Sequence, residues 1–366
     1  MTIGEQAQSL VRTGGRDGTY LNGIQILRFV AAIAVVLAHI QHEIVKSGLF
    51  TNFRPFDLID GGFGVDIFFV ISGFIMLHVS KDKFGKSGAS VDFIMRRFLR
   101  IAPLYYIATL LTLVAILLID RASINNTITL IHVIGTFLFF PTQSYTGDVA
   151  PILKLGWTLN FEFLFYAIFS LSMIFRLRAG LIFLTFALTA IVLIANCVPH
   201  PPAWLSFWGQ SLVFEFLGGV LLAILYQSDK RLSVAQGFAL VALGLGLVTA
   251  LKGAGTFPYL PRALFAGMPA WLIVSGVILT GSSVPESGLI KFLLRGGEAS
   301  YALYLFHPFI IKIGSKVISF NNLDISPIIF IVLIVSSVIV LSFIVNITIE
   351  KPMYRLIKEI ILSKYM

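Results

Sequence analysis

One cysteine in 366 residues, Cys197, leaves no partner for an intrachain disulfide and too few thiolates for a cysteine-built zinc site. It lies in an apolar run, where packing is its expected role. Charge is scarce too. Asp, Glu, Lys and Arg make up 12% of the chain, about half the ~25% of a soluble domain. There is no repeat of fixed period, no low-complexity tract and no long linker, so neither a solenoid nor a disordered tail is expected. No cleavable signal peptide is expected either. The first apolar stretch follows a polar leader and holds Arg28 and His39, which a signal core would not tolerate.

Apolar surface is what the chain has in excess. Hydrophobic residues reach 57%, and the mean hydropathy is +0.91. A soluble core cannot absorb that much, whereas a bilayer can. The 33 phenylalanines and 31 glycines suit lipid-facing rings and close helix crossings. The net charge of +9 does not point to nucleic acid, because the positive residues sit in short loops between apolar runs, where orientation signals lie. Membrane lipids are the expected surroundings.

A spanning helix needs roughly 20 mostly apolar residues. Candidates fall near 24–41, 63–79, 101–119, 157–176, 179–197, 204–226, 234–251, 263–281, 299–319 and 325–349. The expected fold is therefore all-α, a polytopic bundle of about ten transmembrane helices. Its organisation is a cytoplasmic leader over 1–23, a transmembrane domain over 24–349 and a basic cytoplasmic tail over 350–366. The loop 80–100 and the residues after 176 are rich in Lys and Arg and should be cytoplasmic. Helices 101–119 and 157–176 already restore that side. The shorter apolar stretch 127–141 is then a re-entrant or surface helix, in an outer segment 120–156. With both termini inside, roughly two thirds of the Lys and Arg fall on the inner side.

Ionisable groups inside spans are costly, so each is a functional candidate. They are Arg28, His39, Asp66, Glu162, Glu215 and His307. Arg28 and His39 are eleven residues apart, close to three turns, so they fall on nearly one face, about 16 Å apart along the axis. Asp66 and Glu162 each open a helix at the expected outer side, where they could meet His39. Arg97 and Arg100, spaced i,i+3, share a face at the inner mouth of the third helix. Arginine forks suit phosphates. A histidine oriented by a carboxylate can take a proton from a hydroxyl and return it. Plainer roles exist for each. The arginine pair also reads as a topology signal, a lone histidine as packing, the two acids as helix caps, and Glu215 as a bridge between helices. Gly61, Gly62 and Gly64 allow a tight entry into the second helix.

The chain resembles the acyltransferase 3 family, bacterial membrane O-acyltransferases of surface glycans. The resemblance rests on IQILRFVAAIAVVLAHI, which carries Arg28 and His39, and on GGFGVDIFFVISGF at 61–74. It continues through RRFLRIAPLYY with Arg97 and Arg100, GWTLNFEFLFY at 156–166, EASYALYLFHP at 298–308 and EKPMYR at 350–355. Six signatures in one order cover most of the chain. The short form looks most like the rhizobial exopolysaccharide acetyltransferases. Two features depart from many relatives: Phe163 stands where a second acid follows the first, and no fused extracytoplasmic hydrolase-like domain is expected.

The resemblance implies an enzyme of the cytoplasmic (inner) membrane, with acetyl-CoA or another acyl-CoA as donor and no metal. The acceptor is a hydroxyl of a glycan or lipid-linked saccharide, and polysaccharide assembly machinery is an implied neighbour. His39 would be general base or transient acyl carrier, with Asp66 or Glu162 orienting it. Arg28, Arg97 and Arg100 would hold the donor phosphates or polarise the thioester carbonyl. Tyr304 and His307 would line the acyl path, or His307 would be structural. Pro308 follows it and breaks the helix ladder there. A secondary transporter, or a non-catalytic partner of glycan export, is the rival class; transporters usually show two related halves, and none is visible.

Overall fold

The computed structural model describes residues 17–50, 53–56, 62–119, 128–144, 147–228, 231–255, 260–281, 287–321 and 323–365. Most of the expected leader and Gly61 lie outside these. The helices are α1 (Asp17–Ser47), α2 (Phe63–Ser80), α3 (Ala89–Ile119), α4 (Leu130–Phe137), α5 (Trp157–Ser172), α6 (Leu177–Cys197) and α7 (Ala203–Trp208). They continue with α8 (Val213–Gln227), α9 (Val234–Gly253), α10 (Met268–Thr280), α11 (Gly288–Glu298), α12 (Ser300–Asn321), α13 (Pro327–Val345) and α14 (Lys351–Tyr365). Single π-helical turns precede α10, at Ala263–Gly267, and follow α13, at Asn346–Glu350. Extended pairing among the described residues is limited to one bridge, Gln143 with Val149.

Nine helical stretches among the described residues are long and apolar enough to cross a membrane. The chain is a polytopic helical bundle. The stretch expected at 157–176 is shorter than foreseen: α5 has 16 residues, about 24 Å at 1.5 Å per residue. α4 has 8 residues and is too short to span. The third helix differs most. It opens at Ala89 rather than near 101, so Arg96, Arg97 and Arg100 stand on helix, not in a loop. Hydropathy hid this start. Segment 89–102 contains no Gly or Pro, and Asp92 pairs with Arg96 one turn on, Nε to Oδ1 2.7 Å.

The chain divides into two compact units. The first comprises Met1–Ile75 and Gly218–Ile349, the second Met76–Leu217 and Glu350–Met366.

In the first unit α1 is the hub, packed by α10, α11, α12 and α13. Its buried stripe of Phe29, Ala32, Val36, Ile40 and Ile44 recurs at three- and four-residue steps, the helical period. It meets Leu303 and Ile311 of α12 and Phe330, Ile334 and Val338 of α13. Two glycines set the crossings. A side chain at Gly297 would strike the Gln25 backbone, and one at Gly64 would strike the Ala31 carbonyl and Val35. The tight entry expected at the second helix is thus an approach of α2 to the turn of α1 that carries Ala31 and Val35.

In the second unit α3 and α5 run antiparallel. Ser90 and Ser170 hydrogen-bond across one end, hydroxyl to hydroxyl 2.8 Å. Phe98 meets Phe163 midway, 6.1 Å between ring centroids. At the other end Tyr105 lies against Gly156, where a Cβ would collide with its ring. Phe163 stacks on Phe139 at 3.7 Å and 8°. Phe139 is buried with φ 55, a left-handed backbone rare outside glycine. α6 packs on α5, and α14 on α3.

Candidate active site

Arg28 and His39 both stand on α1, which is unbroken between them. His39 lies one turn beyond Val35, and its Nδ1 is 2.9 Å from the Val35 carbonyl oxygen. A carbonyl can only accept, so Nδ1 carries the hydrogen. Nε2 is then a bare lone pair in the neutral ring. The side chain is exposed even though its neighbours Val36 and Ile40 are fully buried. Residues 35–40 therefore present one polar group in an otherwise apolar stretch. The sequence suggested a carboxylate, Asp66 or Glu162, as the orienter. The group on Nδ1 is the backbone carbonyl one turn earlier.

Asp66, in the first turn of α2, is fully buried. Arg262 grips it with both arms of its fork: Nε to Oδ1 and Nη2 to Oδ2 are each 2.9 Å. Nη2 also reaches the Gly62 carbonyl at 3.2 Å. Arg262 was not singled out from the sequence, where it reads as one more loop cation. The usable signal was the acid itself, since a buried carboxylate calls for a counter-charge.

His307 is on α12 in the same unit as His39. Its ring centroid is 5.0 Å from that of His39, with the planes at 66°. Its Nδ1 lies 3.2 Å from the Leu303 carbonyl, again one turn back. It is fully buried, and its Nε2 has no hydrogen-bond partner. Tyr304 is buried beside it, with ring centroids 6.1 Å from His307 and 6.5 Å from Phe68. Of the residues singled out by sequence, the first unit thus brings His39, His307 and Tyr304 together. Arg28 is half-buried on α1, three turns before His39, its Nη1 3.5 Å from Gln25 Oε1.

Arg97, Arg100 and Glu162 belong to the second unit. Arg97 is buried, its guanidinium 5.6 Å from the centre of the Phe93 ring and 5.7 Å from that of Tyr166. Two adjoining rings, themselves edge to face, suit a planar, weakly hydrated cation. Glu162, one turn before Tyr166 on α5, acts on it electrostatically, as do Arg100 and Tyr354. Sequence had put Glu162 and Arg97 at opposite faces of the membrane. They share one level because α3 begins two turns before Arg97 and α5 runs back along it. Phe163, in place of a second acid, is held in the stack with Phe139. Among the described residues no three His, Cys, Asp or Glu side chains converge as metal ligands would.

Comparison with known proteins bears on these residues. A family profile described as an acyltransferase domain matches residues 21–347. The exopolysaccharide production protein ExoZ of Rhizobium meliloti is 35% identical over 260 residues, covering 70% of this chain and 78% of that protein. The acyltransferase MdmB of Streptomyces mycarofaciens is 24% identical over 318 residues, 79% of each chain. The peptidoglycan O-acetyltransferase OatA of Listeria monocytogenes is 25% identical over 341 residues, 85% of this chain and 52% of that protein. No solved structure matches the chain. The profile spans every residue of the two clusters except Tyr354, and the chain belongs to the acyltransferase 3 family of O-acyltransferases.

Proposed function

We propose that the protein transfers an acetyl or other short acyl group from acyl-CoA to a hydroxyl of an extracytoplasmic glycan, exopolysaccharide being the favoured acceptor. The observation that carries this reading is the exposed His39 ring on the hub helix, its Nδ1 held by the Val35 carbonyl so that Nε2 keeps the lone pair. The membrane-crossing helices and the relative named for exopolysaccharide production support it.

In this reading the acceptor O–H donates to His39 Nε2 while its oxygen attacks the thioester carbonyl carbon. The carbon–sulfur bond then breaks, and the proton on Nε2 passes to the departing thiolate of CoA. A direct acyl link to Nε2, resolved by the acceptor, uses the same lone pair. Arg97 and Arg100 hold donor phosphates, with Glu162 and the flanking rings fixing the Arg97 fork. Arg28 polarises the thioester carbonyl. Asp66 serves the site by holding Arg262 and the start of α2. The enzyme sits in the cytoplasmic membrane with both termini inside, taking its donor from the cytoplasm.

The test is His39→Ala and His39→Gln. Glycan acyl groups are counted in cells, and acetyl-CoA hydrolysis is followed with purified protein in detergent. Loss of a general base lowers the rate by about 10²–10⁴-fold, at unchanged yield of folded protein. Near-normal acylation by His39→Gln would overturn the assignment.

A further inference from the structure

The proposed reaction does not use His307, although its ring centroid lies 5.0 Å from that of His39. Its anchoring to Leu303 explains one nitrogen. The other, Nε2, is buried with no hydrogen-bond partner, and buried polar atoms are rarely left so. A purely structural histidine would have both nitrogens engaged, or would be replaced by an apolar residue without loss.

Its surroundings suggest a use. Both rings are held by the same device, an Nδ1 hydrogen given to the carbonyl four residues back. Both therefore keep the lone pair on Nε2. In such a neutral ring Nε2 is the negative end of the dipole. The His39 ring turns cationic when it takes a proton, 5.0 Å away and steeply inclined. His307 itself has no exposed surface, so water screens that interaction from one side only. Pro308 adds a reason for rigidity, because it offers no N–H to the Tyr304 carbonyl and fixes its own backbone angle.

We propose that His307 is a positioning residue for His39, its buried Nε2 lone pair stabilising the imidazolium that forms on His39 during acyl transfer. This rests on the reading of His39 as the base. His307 neither touches the donor nor gives up a proton, and it makes His39 a stronger base at the moment of transfer.

Two substitutions separate this from a structural role. His307→Asn keeps a donor near the Nδ1 position for the Leu303 carbonyl but has no atom at the Nε2 position. His307→Gln places an acceptor oxygen near Nε2 and gives up the anchor. With purified protein and acetyl-CoA hydrolysis, we expect kcat of His307→Asn to fall roughly tenfold to a hundredfold, with KM for acetyl-CoA unchanged. His307→Gln should retain most of kcat. In the double variant His39→Ala/His307→Asn the second change should add nothing to the first, since it acts only through the base. Wild-type kcat in His307→Asn, a His307→Gln no better than Asn, multiplied losses in the double variant, or loss of folded protein in both single variants would each overturn the inference. His39→Gln run in parallel separates the two claims. Full activity there removes the base and this inference together. Loss there with normal kcat in His307→Asn removes this inference alone.

Discussion

Arg262→Ala is the substitution for which the structure gives the clearest magnitude. It leaves the Asp66 carboxylate, which has no exposed surface, without the guanidinium that meets both of its oxygens at 2.9 Å. It also takes a donor from the Gly62 carbonyl. Breaking a buried pair by removing one partner destabilises by about 3–5 kcal/mol, much of it the uncompensated charge. Asp66→Asn is milder, because an amide oxygen still accepts from one arm of the fork. The charge-assisted share lost is on the order of 1.5–3 kcal/mol. The double variant Asp66→Asn/Arg262→Ala should recover part of the loss, with a coupling of about 0.5–3 kcal/mol. The assay is thermal unfolding in detergent, followed by the fraction of monodisperse protein after heating. The expected order of midpoints is wild type, double variant or Asp66→Asn, then Arg262→Ala. A wild-type midpoint for Arg262→Ala, or strictly additive losses in the double variant, would refute the claim that the pair holds α2 to the turn before α10.

Other outcomes follow from the same geometry. Arg97→Lys should weaken acetyl-CoA binding almost as much as Arg97→Ala, because an ammonium has no flat face to lay against Phe93 and Tyr166; equal affinity of Lys and wild type, by equilibrium binding, would remove the ring contribution. Gly64→Val should push α2 off α1 at Ala31 and Val35, a strain of about 1–3 kcal/mol, and lower kcat more than KM by disturbing the carbonyl that holds His39; an unchanged kcat would disconnect that crossing from the base. A cysteine at Ser144, in a Cys197→Ala background because Cys197 is exposed, should label from outside the cell; labelling only from the cytoplasm would reverse the proposed topology.

The fold was legible wherever hydrophobicity alone decides it. The crossing helices 179–197, 234–251 and 299–319 lie within two residues of α6, α9 and α12, because a bilayer demands long apolar runs and leaves few alternatives. Helix continuing past the apolar zone was not legible by that measure. α3 begins at Ala89 through a polar stretch whose helical character lies in spacing and in the Asp92 to Arg96 pair. Clusters within one unit were half-legible. His39 and His307 stood out as ionisable groups in apolar runs, but their approach across more than 260 residues of sequence leaves no local mark. The acceptor on His39 was invisible for another reason: every residue has a carbonyl, so no residue type announces one. Arg262 was hidden because only the burial of Asp66 makes its positive charge necessary.

The hub position of α1 has a consequence for biogenesis. α1 leaves the ribosome long before α12 and α13, and its stripe from Phe29 to Ile44 is completed by Leu303, Ile311, Phe330 and Ile334 of those two helices. Until then lipid must cover that stripe. The membrane makes the delay tolerable, since lipid tails solvate an apolar face as well as another helix does. Closure is nonetheless a long-range event that waits for α12 and α13. A stop codon before α13 would therefore injure the beginning of the protein, leaving the helix that carries His39 inserted but without its partners. Nascent chains of that length should be the ones that membrane proteases remove.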